Sequence, residues 1–77
     1  MAVKAYILIT ADPGHTAGLT EKLAALPGVS EVHEVMGPFD IVVEFEANEL
    51  ETVTNTLRSS IRPLEGILNT VTCVAMD

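Results

Sequence analysis

The stretch Glu34-Val-Met-Gly-Pro-Phe-Asp-Ile-Val-Val-Glu-Phe45 decides how this chain folds. Two runs rich in β-branched and apolar residues meet at Gly37-Pro38-Phe39-Asp40. Gly37 can take a positive φ, and Pro38 fixes its own φ while withholding a backbone donor. A tight connection between two such runs is a hairpin signal, although not of the Asn-Gly type. The tip gathers backbone amides, the Phe39 ring and the Asp40 carboxylate. The residues alone leave Asp40 open between two roles. It could bond its own turn, or it could edge a small-molecule site, taking a ligand's ammonium while free amides take its carboxylate.

Working outward, Val29–Met36 reads as the strand before the tip and Ile41–Phe45 as the strand after it. Ser30, Glu31, His33 and Glu34 mark the former as an edge. Ile41, Val43 and Phe45 share one face of the latter. Val3–Thr10 is a strand apolar on both faces, with Val3, Ala5, Ile7 and Ile9 on one side and Lys4, Tyr6, Leu8 and Thr10 on the other, as a central strand requires. Asp12-Pro13-Gly14 breaks it. Leu19, Leu23 and Leu26 make the apolar stripe of a helix from His15 to Leu26, closed by Pro27-Gly28. A second helix carries Leu50, Val53, Leu57 and Ile61, with Asn48 as its expected N-cap, Glu51 completing a capping box and Pro63 stopping it. Ile67–Met76 is the last strand. The order β-α-β-β-α-β predicts one domain over residues 1–77. It is an α+β, ferredoxin-like sandwich, a four-stranded antiparallel sheet with two helices on one face and strands one and three in its centre.

Two helices cover only one side of such a sheet. Strict alternation assigns Ile67, Val71, Cys73 and Ala75 to the covered face. It leaves Tyr6, Leu8, Thr10, Val42, Leu68, Thr70, Thr72, Val74 and Met76 on the other. A solvated face would alternate to charge, and this one is half apolar. The expectation is a sheet-to-sheet dimer of the dimeric α+β-barrel type, with Tyr6, Leu8, Val42, Leu68, Val74 and Met76 in its interface. Size and composition agree: 77 residues bury only about 60% of their unfolded surface, and 48% of this chain is apolar.

Charge narrows the function classes. Eleven acidic against four basic residues give a net charge of −7, and Lys4, Lys22, Arg58 and Arg62 are scattered singly. Direct nucleic-acid binding and docking on an anionic membrane both need clustered cations. No apolar run reaches the ~20 residues of a membrane span, and the N-terminus lacks signal-peptide regions, so the expected location is cytoplasmic. One cysteine excludes an internal disulfide, and the spacing of a zinc site is absent. His15, His33 and Asp40 are the only candidates for acid–base work. His33 with Glu31 could hold a metal, but two polar residues on an edge strand account for the pair. His15 reads as a surface or capping residue, and Cys73 as a buried small hydrophobe. With no P-loop, GxSxG or metal-helix motif, no catalytic residue, metal or cofactor is expected.

The pattern Pro13-Gly14, Leu26-Pro27-Gly28-Val29 with Glu31-Val32, Met36-Gly37-Pro38-Phe39-Asp40-Ile41, then Gly66-Ile67 and Thr70-x-Thr72, resembles the ligand-binding (RAM) domain of Lrp/AsnC, or feast–famine, regulators. The resemblance spans essentially the whole chain. It implies a non-enzymatic domain that dimerises through its sheet, assembles into rings of eight or ten subunits, and binds amino-acid effectors between dimers. By position the effector residues would be Met36, Gly37, Pro38, Phe39 and Asp40 on the hairpin, Arg62 at the end of the second helix, and Thr70 and Thr72 on the last strand. Asp40→Ala is then expected to weaken amino-acid binding with little loss of fold. Full regulators carry an N-terminal helix-turn-helix, whereas this chain begins at the first strand. It resembles members that lack a DNA reader and sense amino acids, co-assemble with full-length regulators or modulate an enzyme. Three other readings compete: an ACT-type regulatory domain, suggested by Asp12-Pro13-Gly14; a small α+β-barrel monooxygenase or isomerase; and a structural assembly subunit.

Overall fold

A computed structural model of the chain describes residues 2–76. Its elements are β1 (Val3–Ala11), a 3-10 turn (Pro13–His15), α1 (Thr16–Ala24), β2 (Val29–Glu34), β3 (Ile41–Ala47), α2 (Leu50–Thr56), a π-helical turn (Leu57–Ile61) and β4 (Ile67–Val74). The strands form one antiparallel sheet in the order β2-β3-β1-β4, which puts β1 and β3 in the centre as the right-handed crossovers require. The ferredoxin-like plan is the fold.

The core follows from the pairing of the two central strands. Ala5 faces Phe45, Ile7 faces Val43 and Ile9 faces Ile41, and all six side chains are buried. Leu19 and Leu23 of α1, Val53 of α2 and Ile61 of the π turn close over them. Gly28, at φ +91°, lets the chain pass against Phe45 and Glu46; a Cβ there would lie 2.8 Å from the Phe45 ring.

Local details differ from the sequence expectation. β2 ends at Glu34 rather than Met36, and Met36 is wholly exposed. α1 starts from a 3-10 turn in which the Asp12 side chain accepts from the Gly14 N–H. α2 has Glu49, not Asn48, at its N-cap and no side-chain cap bond. Leu50 is 53% exposed, so the buried stripe of that helix begins at Val53.

The largest correction concerns β4. Val74 faces Ala5, Thr72 faces Ile7 and Thr70 faces Ile9. Cross-strand partners share a face, so Thr70, Thr72 and Val74 lie on the helix side. Asn69, Val71 and Cys73, opposite Thr10, Leu8 and Tyr6, lie on the open side, and by the same parity so does Ala75. The expected assignment was the reverse. Its physical cause is a bulge: Thr10 opposes Asn69 while Ala11 opposes Ile67, leaving Leu68 without a partner. Ile67 still packs on the core. One extra residue after it inverts the alternation of everything downstream. Val74 therefore leaves the expected interface set. Leu68 is the bulge residue itself, largely exposed, and Met76 lies exposed beyond the end of the strand.

Tyr6, Leu8, Val42, Val71 and Cys73 consequently make the middle of the open face. Cys73 is exposed there, not buried. Polar pairs lie around this apolar middle. The Lys4 ammonium is 3.0 Å from Glu44, and His33 Nε2 is 2.8 Å from Glu31 Oε1 on β2.

Candidate functional site

The chemistry of the fold collects where β1 ends. The loop after β2 returns there, with the Val35 N–H donating to Asp40 O and the Asp40 N–H to Ile9 O, both at 2.8 Å. The Asp40 carboxylate reaches across, and Oδ2 accepts the Ala11 N–H at 2.8 Å in a partly buried setting. On the other flank of β1, the Asp12 N–H donates to Gly66 O at 2.8 Å. The last residues of β1 are thus clasped from both sides, by the β2–β3 loop and by the entry to β4. Asp40 bonds a neighbouring strand, not its own turn. That bond ties the loop to the end of β1.

Beside the entry to β4 lies a small cavity of about 160 Å³ lined by Arg62, Ile67, Leu68, Asn69 and Thr70. The π turn delivers Arg62 to it: the Arg62 N–H bonds Leu57 O at 2.9 Å, one residue further back than in an α-helix. Pro63, which cannot continue the ladder, then ends the helix. Ile61 is fully buried while Arg62 next to it is exposed. Among the described residues Arg62 makes no ion pair, in a chain whose net charge is −7. The Arg62 guanidinium is a fork of donors that fits a carboxylate.

Of the residues expected from sequence, the structure brings Arg62 and Thr70 into one cavity. Met36, Gly37, Pro38, Phe39 and Asp40 lie at the same end of the sheet, on the far side of β1. Two strand spacings, about 10 Å, separate Asp40 from β4. Met36, Gly37 and Pro38 are exposed and Phe39 is half-buried. Thr72 sits further along β4 opposite Ile7, with its Oγ1 buried and unpartnered among the described residues. It does not line the cavity. Asn69 does, and sequence reasoning passed over it, because only the bulge at Leu68 sets its direction. His15 rests on Gly66, with Nδ1 3.6 Å from Asp12 Oδ2 and Nε2 3.9 Å from Glu65 Oε1.

A second groove, of about 290 Å³, runs between α1 and β2, lined by Thr20, Glu21, Ala24 and Val29 to Val32. It is larger, but its charged groups are the acids Glu21 and Glu31, with no cation to orient a ligand's carboxylate.

Residues 4–77 match the family described as the Lrp/AsnC ligand binding domain, and the chain belongs to that family. It is 35% identical, over its whole length, to an uncharacterized HTH-type transcriptional regulator of Pyrococcus abyssi, of which it spans 53%. The crystal structure of FFRP-DM1 superposes with a TM-score of 0.91 at 32% identity, covering 96% of this chain and 99% of that one. A transcriptional regulator of Neisseria meningitidis solved as an L-Met complex has the same fold, with a TM-score of 0.88 at 9% identity over 97% of this chain and 50% of that one. The chain spans about half the length of the curated regulators it matches.

Proposed function

We propose that this domain binds an amino acid, or a similar small effector, at the end of the sheet where β1 stops, and that it carries the signal through its own assembly. The observation that bears the reading is Arg62, without an ion pair among the described residues, on the wall of a small cavity of an acidic protein. The carboxylate of the effector would sit on the Arg62 guanidinium. A cavity of about 160 Å³ holds a head group and little more, whereas complete small-molecule sites run to roughly 300–1,000 Å³. The remainder of the site would come from a neighbouring subunit, and the exposed loop Met36–Phe39 is suited to supply it. The methionine complex of the Neisseria relative supports an amino-acid ligand.

Assembly would begin on the open face, where Tyr6, Leu8, Val42 and Val71 are only partly covered in one chain. A second copy covers them face to face, and dimers join at the effector ends into a ring of eight or ten subunits. The reading gives these 77 residues no direct contact with nucleic acid or membrane. It links them to transcriptional or metabolic regulation in the cytoplasm, including through co-assembly with DNA-binding relatives.

The test is a thermal-shift screen against the twenty amino acids with the solution mass recorded alongside. A ligand that binds only the folded state at 100 times its Kd stabilises by about 2.7 kcal/mol. A selective rise in Tm, with a change or consolidation of mass, is expected. A stable assembly that no amino acid shifts would contradict the proposal.

A further inference from the structure

The clasp on the end of β1 assigns Asp40 a role distinct from ligand contact. Its Oδ2 holds the Ala11 N–H at 2.8 Å. Ala11 is the residue at which the β1–β4 register shifts, opposite Ile67, with Leu68 bulged out between Ile67 and Asn69. The next residue, Asp12, is tied to Gly66 on the β4 side. Leu68 and Asn69 are walls of the Arg62 cavity. A continuous line of bonded groups therefore runs from the Met36–Phe39 loop, through Asp40, across Ala11 and Asp12, to the cavity.

We infer that Asp40 is a positioning residue. It couples the loop on one side of β1 to the bulge and cavity on the other, so that ordering either end biases the other. One oxygen of the Asp40 carboxyl is already committed to a backbone donor, a directional bond. The bulge beside it locally disrupts the ladder and leaves Leu68 without a strand partner. This arrangement makes the end of β1 a joint between the two halves of the proposed site. In an assembly where the loop of one subunit meets the cavity of another, the joint would carry an effector's ordering of one cleft to the next. The inference rests on the reading that this end binds the effector, but the coupling itself needs no ligand.

The experiment uses the ¹⁵N-labelled full chain without added ligand. In the wild type the bonded Ala11 amide should exchange slowly with solvent. Asp40→Ala removes the acceptor, and the exchange of Ala11 should rise by about tenfold or more, as loss of a charge-assisted hydrogen bond requires. The amide resonances of Leu68, Asn69 and Thr70, across β1, should move with it. Asp40→Asn keeps an oxygen acceptor without the charge and should restore both readouts most of the way, which a purely electrostatic role of Asp40 would not allow. If Asp40→Ala does not fold, Asp40→Glu serves, since it keeps the charge but displaces the acceptor and should shift the same resonances. Ala11 exchange that rises while Leu68 to Thr70 stay unmoved would overturn the coupling. Wild-type behaviour of both readouts in the Ala or Glu variant would overturn the bond. Either result leaves the amino-acid reading to its own test.

Discussion

Gly66 offers the most calculable perturbation of the functional end. Its φ is +97°, and a Cβ built there would lie 2.5 Å from His15 Cβ and 2.7 Å from His15 Cγ. Gly66→Ala therefore meets two separate costs. A side chain forced into the left-handed region costs about 1–2 kcal/mol. Overpacking against a neighbour that cannot withdraw costs about 1–3 kcal/mol more, and the nearest atom is the Cβ of His15, which no rotamer change moves. The sum, about 2–5 kcal/mol, is a large part of the ~4–12 kcal/mol expected for a domain of this length. Urea unfolding at fixed protein concentration should show a lower midpoint with an unchanged slope. The two shares separate in a double-mutant cycle. In a His15→Gly background the overlap is gone, and Gly66→Ala should cost only the backbone share, about 1–2 kcal/mol. A cost below about 1 kcal/mol in the native background, or an equal cost in both, would refute the packing of His15 on Gly66.

The remaining predictions concern the faces and the cavity. Val71→Glu should weaken self-association by sedimentation because the bulge places Val71 on the open face beside Leu8, and Leu8→Glu should do the same. Val74→Glu, on the helix side opposite Ala5, should leave association intact; the opposite ranking would contradict the register. Arg62→Gln should lower amino-acid affinity by about tenfold or more while moving the unliganded stability by no more than about 0.5 kcal/mol, as befits an exposed residue.

Much of this architecture was legible because β1 and β3 each carry an unbroken apolar face. Ala5, Ile7 and Ile9 pair with Phe45, Val43 and Ile41, and period-2 alternation finds such strands without help from the rest of the chain. β4 defeats the same reasoning. Ile67-Leu-Asn-Thr-Val-Thr-Cys-Val74 has no glycine or proline to announce an irregularity, and the bulge at Leu68 exists only because Thr10 and Ala11 select different partners. The direction of Asn69 and the exposure of Cys73 went unread for the same reason. Asp40 shows the limit for chemistry. Its place in a turn is visible in the sequence, but its partner Ala11 is 29 residues away, so the bond to β1 could not be read from the turn itself. The cavity residues Arg62 and Thr70 were suggested by family resemblance. Only the π turn and the bulge explain why the two converge.

The central claim is that an amino acid is held where β1 ends. The measurement that tests it most directly is residue-by-residue mapping of amide and Arg62 side-chain resonances while the labelled protein is titrated with each of the twenty amino acids. The account predicts that at least one of them moves Arg62, Leu68, Asn69 and Thr70 together with the Met36–Asp40 loop, and leaves the groove between Thr20 and Val32 unchanged. Shifts confined to that groove, or no amino acid that moves the cavity residues, would contradict it.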